Sequence, residues 1–516
     1  MVFIIPSIIL LLLLINIWVF MPFFSFGLFG DDWLTIFRYF YYLEDPKHLG
    51  PYSISYFNHF TYFLNSYGPQ DTITGILYKY FGEQSNIYFI VSYILRLGAG
   101  FSIYFPAFYL TKNKLAAWFA VFFFLFSAIG LEASSWVFNM PSYLAITFFN
   151  FLLYFYLKFH MEKGLKYLFF SYLFFTLTFI STPIRAHGLI PFIIYMEIIF
   201  LIFKRNWRLI KFSLIRTLGF LLIFLSIYFL GFKESISGTG AGGLSMGFNN
   251  IYQLLSGDRF DFLFYPLATL GGMIIPNSPS VLVGTALAII TLIIFFYQKS
   301  NNLLKYGLLI GLGWAIISSL YPWLQPNTSG IFSTTHRYLI TSGVGISILL
   351  ATIISLGRNT KNILMLLSLG GILIIMHAFA TRIFLNDQYQ THNRVLVNKI
   401  WSQMPNIPQI GKTDKPLIFY FEGDQTNGDI LHDSITFGFP FHMALIYNLT
   451  EENQLPLTMD SWEEVVSAVT DGKSFIKHYG KAIDPIPIEN VYVFKLEGKD
   501  NLINLTDSSR QKLKEI

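Results

Sequence analysis

The chain has 516 residues, of which 54% are hydrophobic and only 13% are charged, and its mean hydropathy is +0.52. Soluble globular proteins carry roughly 25% charged residues, so the composition excludes a soluble protein and predicts a polytopic membrane protein. The absence of cysteine excludes disulfide bonds, thiolate nucleophiles and cysteine-based metal sites, and with a modest net charge of +5 we expect no nucleic-acid partner.

Hydropathy predicts about eleven membrane-spanning helices, because a bilayer core of ~30 Å needs about 20 apolar residues. The first, from Val2 to Phe24, holds no charge and lacks the basic start and cleavage site of a signal peptide, so we interpret it as a retained helix. The predicted spans are residues 3–22, 86–110, 115–130, 140–158, 165–181, 187–203, 212–231, 280–297, 303–323, 337–356 and 363–381.

The charge of alternate connections predicts the orientation. One set of short loops carries thirteen lysines and arginines, whereas the opposite set, though longer in total, carries seven. The positive-inside rule therefore predicts a cytoplasmic N-terminus, with the C-terminal domain and the loop after the first span on the outside. We expect the membrane to be the cell membrane. Residues 260–276 are apolar but interrupted by glycine and proline. A span there would invert the charge pattern, so we expect this segment to be re-entrant or to lie flat on the outer surface.

Two regions are predicted to lie outside the bilayer. Residues 25–85 form a long first outer loop, whose amphipathic stretches Trp33–Leu43 and Tyr52–Leu64 we expect to lie as helices in the interface. Residues 385–516 are predicted to be a small extracytoplasmic α/β domain. The predicted fold class is thus a polytopic α-helical membrane domain over residues 1–384, followed by that domain.

In the C-terminal domain, two short apolar runs rich in β-branched and aromatic residues predict strands at Leu417–Phe421 and Val491–Lys495. A helix is predicted from Ser461 to Val469, with Asp460 or Ser461 as its N-cap. No repeat period is evident, so we do not expect an array of helical repeats.

Asp31 and Asp32 come directly after the first span, where water meets lipid. Burial at a low-dielectric boundary raises the pKa of a carboxylate, which suits proton abstraction from a hydroxyl group. The pair is therefore a candidate general base. We favour Asp31 slightly, because it is closer to the membrane and more easily desolvated. The sequence establishes no cofactor and leaves open a divalent metal at Asp31 and Asp32.

Further polar residues are predicted near the same outer face, in loops otherwise poor in charge. Guanidinium groups bind phosphate oxygens bidentately, so cations here fit a phosphate or pyrophosphate opposite the acids. Arg96 is exceptional because it lies within the second span, where charges are expensive and face a bundle interior or a water-filled cavity. These candidates are Glu132, Arg185, His187, Arg337, Tyr338 and Arg96.

The order of these motifs resembles the GT-C superfamily of integral-membrane glycosyltransferases, nearest to its protein O-mannosyltransferase-like branch. Over residues 1–381 the similarity rests on an acidic pair after the first span, a basic residue in the second, an acidic turn after the third, and two basic motifs at the sixth and tenth. The matching positions are Asp31-Asp32, Arg96, Leu131-Glu132-Ala133, Arg185-Ala186-His187-Gly188 and Arg337-Tyr338-Leu339. Two positions depart from the pattern: Tyr67-Gly68-Pro69 lacks the arginine of a Tyr-Arg-Pro element, and His187 replaces an acid.

The resemblance implies a glycosyltransferase, of hexosyl or mannosyl type, that takes a sugar from a polyprenyl-phosphate donor on the outer membrane face. The acceptor would be a hydroxyl group of a glycan or protein, and the displacement would invert the anomeric centre. Asp31 or Asp32 would be the base, and Glu132 would position the acceptor or a metal. The remaining candidates, Arg337, Arg185, His187, Arg96 and Tyr338, would bind the lipid phosphate and donor.

Two other classes of polytopic membrane protein are alternatives to a glycosyltransferase. A lipid-linked glycan polymerase or ligase would depend on arginine and histidine in a large late outer loop, whereas here the long loop comes first and carries aspartates. A lipid or solute transporter would show charges along several helices or inverted repeats. Only Arg96 and Glu197 lie deep here, and we expect Glu197 to be hydrogen-bonded to a neighbouring helix.

Overall fold

The structure is a computed structural model that describes most of the chain. The described residues are 4–40, 64, 68–182, 188–205, 209–232, 261–298, 302–323, 333–357, 359–407, 409–424, 427–449, 454–471, 475–477, 480–482 and 485–516. The predicted helix Tyr52–Leu64 and the candidates Arg185 and His187 therefore lie outside the described residues, except for Leu64.

Helices account for nearly all regular structure in the described part of the first 392 residues. They are α1 Ile4–Val19, α2 Asp31–Arg38, α3 Gly68–Phe81, α4 Ser85–Ser102, α5 Tyr104–Thr111, α6 Lys114–Phe126, α7 Glu132–Ser135, α8 Pro141–Glu162, α9 Leu165–Ser181, α10 Leu189–Lys204, α11 Ile210–Ile227, α12 Asp261–Gly272, α13 Val281–Tyr297, α14 Asn302–Trp323, α15 Ile340–Ile354 and α16 Thr360–His392.

Each of the eleven predicted spans overlaps one or two of these apolar helices. Within the described residues, six helical segments are long and apolar enough to cross a membrane, and four more apolar helices are shorter. Leucine, isoleucine and phenylalanine side chains on α11, α13 and α16 are largely exposed, as expected for surfaces that face lipid. The chain is an integral multi-pass membrane protein.

Helix α15 is the most enclosed of the long apolar helices, with 78% of its apolar window buried. It packs closely on α14 at Gly311 and Gly345, where an added Cβ would lie 2.5–2.8 Å from backbone atoms of the other helix. This close packing fixes the position of α15 in the bundle. The short turn Arg337–Leu339 leads directly into α15, so its position is fixed as well.

The apolar segment 260–276 contains α12, a helix of 12 residues with Pro266 inside it. Such a helix is about 18 Å long, which is shorter than the bilayer core. It packs against the start of α13, where a Cβ on Gly284 would lie 1.8 Å from the carbonyl oxygen of Leu267. Its orientation as a re-entrant or flat segment stays a prediction.

Helix α2 differs from the interfacial helix predicted for Trp33–Leu43. It begins earlier, at Asp31, and most of its side chains are buried, including Trp33, Ile36 and Phe37. Residues 41–43 of the predicted helix lie outside the described residues, and its position at the interface stays a prediction. In the structure a helix from the C-terminal domain covers α2.

Three of the described helices end with a basic residue in the left-handed conformation. Lys112 ends α5 at φ 54°, Lys163 ends α8 at φ 60°, and Arg205 ends α10 at φ 47°. Glycine is the usual residue at such positions because it has no Cβ to clash. All three lie in connections that the charge pattern assigns to the cytoplasm.

The C-terminal region is an α/β domain, as predicted. The elements are α17 Arg394–Ser402, β1 Ile418–Glu422, α18 Gly428–Leu431, α19 Phe439–Tyr447, β2 Leu457–Met459, α20 Trp462–Thr470, β3 Phe475–Lys477, β4 Gly480–Ala482, β5 Val491–Glu497, β6 Asn501–Asn504 and α21 Thr506–Lys514. The strands follow the order β2-β1-β5-β6, with β1 parallel to β2 and β5, and with β6 antiparallel to β5; β3 and β4 form a separate antiparallel pair.

Alternation along the strands divides this sheet into two faces. Ile418 and Val493 belong to a small core that includes residues of α20 and α21, whereas Phe419 and Phe494 belong to the core that continues into the membrane helices. The predicted helix at 461–469 is confirmed as α20, and Ser461 caps it by accepting a hydrogen bond from the amide of Glu464. Helix α16 runs past residue 384 to His392, so the two parts of the chain are joined by a continuous helix.

Candidate functional site

The candidate site begins at a sharp turn before α2. Gly30 has φ 52° and ψ −120°, a conformation that side chains rarely adopt, and Asp31 and Asp32 follow it in the first turn of the helix. Carboxylates are favoured at a helix N-terminus, where the unpaired amides carry partial positive charge. The two adjacent acids nevertheless point to different surroundings.

Asp32 is fully buried and is held by backbone amides. Its Oδ1 accepts a hydrogen bond of 3.0 Å from the amide of Phe138, and its Oδ2 accepts one of 3.4 Å from the amide of Phe29. Burial raises the pKa of Asp32 to about 8, although these amides lower it. Asp32 therefore joins α2 to the short turn Val137–Asn139, and its contacts lie within the protein.

Asp31 is only partly buried. No described residue donates a hydrogen bond to its carboxylate. Burial raises the pKa of Asp31 above its usual value, and the positive charges of Arg337 and Arg38 lower it. This carboxylate is thus partly desolvated, close to two cations and accessible, as a general base must be.

Arg337 and Glu132 form a partly exposed pair near Asp31. Arg337 Nη1 lies 3.6 Å from Glu132 Oε2, and the side chains retain 28% and 31% of their exposure. The amide of Arg337 also donates to Glu132 Oε2 at 3.2 Å. The guanidinium carbon lies 4.7 Å from the ring centre of Trp136 and 5.5 Å from that of Tyr338. These contacts orient the guanidinium and leave part of it open.

The backbone pairs the two loops that carry these residues. The amide of Gly130 donates to Thr334 O at 2.8 Å, and the amide of Glu132 donates to Thr335 O at 2.9 Å. Gly130 has φ 68°, and a Cβ there would lie 2.3 Å from the backbone of Ile340. Glycine is therefore required where the loop after α6 crosses the start of α15.

The buried Arg96 makes its contacts at the end of α6 and in the segment that follows it. Its Nη2 donates to the carbonyl oxygens of Phe124, Leu125 and Ser127 at 2.9–3.4 Å, where α6 ends and the loop to Glu132 begins. Its Nη1 lies within 3.4 Å of the hydroxyl groups of Ser134 and Tyr143. The structure therefore does not bring Arg96 together with Asp31, Glu132 and Arg337. It supports the loop that carries Glu132.

A second ion pair anchors α2 and was missed by sequence reasoning. Arg38 donates to both oxygens of Asp71 on α3, at 2.9 and 2.6 Å, and Asp71 is fully buried. Both residues lie in the first outer loop, and no sequence signal pairs residues that are separated by 33 positions there. This pair holds the C-terminal end of the helix that starts at Asp31.

Each oxygen of Asp32 accepts one backbone hydrogen bond, so a divalent metal shared by Asp31 and Asp32 would have to use the remaining lone pairs, and such a metal stays a prediction. Within the described residues there is no group of three or more histidines and acids suited to hold a metal ion. Tyr338 is half-buried beside Arg337, at the edge of the cluster. The described candidates that the structure brings together are thus Asp31, Glu132, Arg337 and Tyr338.

Comparison with known proteins finds similarity only among solved structures. No family model matches the sequence, and no curated protein matches it. The chain is similar to the crystal structure of ArnT from Cupriavidus metallidurans bound to undecaprenyl phosphate, with 11% identity and a TM-score of 0.46 over 95% of this chain and 93% of that one. The apo form of the same protein gives 14% identity and a TM-score of 0.38 over the same shares.

A second protein found is the Archaeoglobus fulgidus oligosaccharyltransferase in the apo form. It shows 15% identity and a TM-score of 0.44, over 88% of this chain and 64% of that one. These identities and TM-scores are too low to assign a family or a substrate. The function is therefore inferred from the side chains of this protein.

Proposed function

We propose that this protein is a GT-C-type glycosyltransferase that moves a sugar from a polyprenyl-phosphate donor to a hydroxyl group. The observation that carries the proposal is the partly exposed Asp31 carboxylate, whose pKa is raised by burial and lowered by the positive charge of the partly exposed Arg337. A base and a phosphate-binding cation are the two groups that such a transfer needs. The charge pattern supports a site on the outer face of the cell membrane, with a cytoplasmic N-terminus and residues 385–516 outside.

Asp31 is the proposed general base. It takes the proton of the acceptor hydroxyl while the acceptor oxygen attacks the anomeric carbon from the side opposite the phosphate. The bond between that carbon and the phosphate oxygen breaks, so the sugar is transferred with inversion. Asp31 is preferred to Asp32 because Asp32 is fully buried and held by two backbone amides.

Arg337 is proposed to bind the phosphate of the donor and to stabilise the charge that develops as the lipid phosphate leaves. Its stacking on Trp136 and its pairing with Glu132 fix the guanidinium before substrate arrives. Glu132 is proposed to orient Arg337 and the acceptor. Tyr338 lies beside Arg337 and is proposed to contact the donor, and Arg185 and His187 remain proposed phosphate ligands that lie outside the described residues.

The deep charges argue against a transporter. Arg96 hydrogen-bonds carbonyl oxygens at the end of α6, and Glu197 accepts hydrogen bonds from Arg216 and Ser213. The prediction that Glu197 bonds to a neighbouring helix is confirmed, and its partner Arg216 is a further charge within a span, which was not predicted to lie deep. A transport pathway needs polar groups that a solute can reach, whereas these are engaged within the protein. No described feature favours a glycan polymerase or ligase over a single transfer.

The test is an assay of the purified full-length protein with a panel of radiolabelled polyprenyl-phosphate sugars, in the presence and absence of EDTA. Release of free lipid phosphate is the measured quantity. We expect Asp31→Asn to lower the rate by about 10²–10⁴-fold, the usual contribution of a general base.

Two comparisons make this assay decisive. Glu422→Gln changes an exposed acid of the C-terminal domain and should leave the rate unchanged. Full activity in Asp31→Asn, Asp32→Asn and the double variant would overturn the proposal. Uptake of a labelled solute into proteoliposomes without any glycosyl product would favour a transporter instead.

A further inference from the structure

The C-terminal domain packs directly on the helix that begins with Asp31. The ring of His442, on α19, stacks on the indole of Trp33 with centroids 3.8 Å apart and planes at 21°. One turn along α2, the rings of Phe37 and Phe441 lie 5.5 Å apart. Trp33 follows Asp31 by two residues, so α19 contacts the first turn of α2.

The approach of the two helices depends on Gly438. A Cβ on this residue would lie 2.8 Å from Trp33 Cδ1 and 3.2 Å from the amide nitrogen of Gly30. Trp33 has little freedom to move away, because its Nε1 donates to Leu28 O at 3.2 Å and its ring is covered by His442. A larger residue at 438 must therefore shift α2 or α19.

The segment before Asp31 is held by the junction between α16 and α17. The amide of Gly27 donates to His392 O at 2.7 Å, and the ring of Phe29 stacks on that of His392 at 3.8 Å. Phe26 and Asn393 form an isolated antiparallel bridge. Both sides of the Gly30 turn are thus fixed by residues beyond 390.

His442 also connects α2 to other segments. Its Nε2 donates to Glu83 Oε1 at 3.0 Å, and the edge of its ring meets Trp401 on α17 with centroids 4.5 Å apart. This hydrogen bond lowers the pKa of Glu83, which lies between α3 and α4. One buried side chain therefore contacts three separate parts of the structure.

We propose that Gly438 and His442 of the C-terminal domain are positioning residues for Asp31. Helix α2 has eight residues, and an isolated helix of that length is not stable in water, so tertiary contacts decide where Asp31 lies. Arg38 and Asp71 fix one end of α2, and α19 fixes the face beside Asp31. The C-terminal domain is accordingly a part of the transferase site, an inference that rests on the proposed function.

The test compares Gly438→Ala with Gly428→Ala in the full-length protein. Gly428 begins α18 in the same domain, and a Cβ there meets nothing within 4 Å, so it is a matched control. Displacement of a reacting group by about 1 Å can lower a rate by about 100-fold. We expect Gly438→Ala to lower kcat roughly 10- to 100-fold with the donor KM within about twofold, and to speed amide hydrogen exchange over residues 30–38. Gly428→Ala should match the wild type in kcat, in donor KM and in the rate of amide hydrogen exchange.

The possible results separate this proposal from the proposed function. If Asp31→Asn is inactive while Gly438→Ala keeps the kcat of Gly428→Ala, positioning by the C-terminal domain is wrong and the transferase proposal stands. Faster exchange with unchanged kcat also overturns positioning. If Asp31→Asn is as active as the wild type, Asp31 is not the base and positioning is wrong. If Asp32→Asn and the double variant are also fully active, the transferase proposal fails as well.

A second pair of variants covers the case in which Gly438→Ala does not fold. His442→Phe keeps a flat ring on Trp33, whereas His442→Ala removes it. We expect kcat to fall roughly tenfold in His442→Ala and to be largely retained in His442→Phe, with the donor KM little changed in both. Equal kcat values in the two variants would show that the stack on Trp33 does not position Asp31.

Discussion

Two glutamate–arginine pairs in this protein have opposite environments. Glu197 and Arg216 form a buried bidentate pair at 2.6 and 2.8 Å, with 3% and 15% of their side chains exposed. Glu132 and Arg337 meet at 3.6 Å, with about a third of each side chain exposed. The same two residue types thus form a short, buried contact in one place and a longer, partly exposed contact in the other.

The partners of the two glutamates explain the difference. Glu197 is also hydrogen-bonded by Ser213 and Tyr156 and lies 3.3 Å from His160, so its lone pairs are used within the protein. The pair at Arg337 has longer contacts and an aromatic ring on one side. A buried charge whose hydrogen-bonding atoms have partners within the protein stabilises helix packing. A charge that is partly exposed can bind a ligand.

The largest effect on stability is expected at the buried pair of Glu197 and Arg216. Arg216→Ala leaves the Glu197 carboxylate buried without its bidentate partner. Removing one member of a buried pair lowers the free energy of unfolding by about 3–5 kcal/mol. Thermal or denaturant unfolding in detergent measures this. A loss below about 1 kcal/mol would contradict the comparison, because it would be typical of an exposed pair.

Arg337→Ala should have the opposite effect, with a large loss of transfer activity and a small loss of stability. We expect the transfer rate to fall by about 10²–10³-fold, because a cation that stabilises the leaving phosphate is lost. The free energy of unfolding should change by less than about 1 kcal/mol. Lys495→Ala is the matched control, since Lys495 forms an exposed pair with Glu422 at 3.8 Å away from the site. The distinction between the two pairs fails if Arg337→Ala unfolds as readily as Arg216→Ala.

Arg96→Met tests whether this arginine supports the loop or binds the donor. The variant leaves the carbonyl groups at the end of α6 without a donor, so we expect a loss of about 2–3 kcal/mol in unfolding free energy. Amide exchange should also rise over residues 127–136. A stable variant whose only defect is a higher donor KM would assign Arg96 to donor binding instead.

The smallest expected effect is on the pH dependence of the rate. A general base acts only when deprotonated, so the rate should fall as the pH falls through the pKa of Asp31. Burial raises this pKa above 3.8, and the charge of Arg337 lowers it. Arg337→Gln should therefore move the acid limb of the pH–rate profile to higher pH, and Arg337→Lys should leave it in place. An acid limb that stays unchanged in Arg337→Gln would show that this charge does not act on the base.

Much of the membrane fold could be predicted from the sequence. Spans are long apolar runs, so each predicted span contains a helix in the structure. The strands at 418–422 and 491–497 also follow from apolar runs rich in β-branched and aromatic residues. The surroundings of α2 could not be predicted, because an amphipathic pattern shows that one face is apolar but not whether lipid or protein covers it.

The site was predictable as a set of residue types but not as an arrangement. Asp31 and Asp32 are adjacent in sequence, and they differ because Asp32 is fully buried and accepts hydrogen bonds from the amides of Phe29 and Phe138. The structure thus buries Asp32 more fully than Asp31, contrary to the reason for which the sequence favoured Asp31. Arg96 is visible as a charge in a span, yet its partners are carbonyl oxygens, which every residue has. Trp136, Gly438 and His442 carry no sequence signal, because their importance arises from long-range packing.

The left-handed lysines and arginine at the ends of α5, α8 and α10 have a consequence for how the chain enters the membrane. A left-handed conformation costs roughly 1–2 kcal/mol in a residue other than glycine. Glycine at Lys112, Lys163 and Arg205 would relieve that strain but would delete three of the thirteen charges from which the positive-inside rule predicts the orientation. With that predicted orientation, insertion into the membrane and stability after folding impose conflicting requirements on the same three positions.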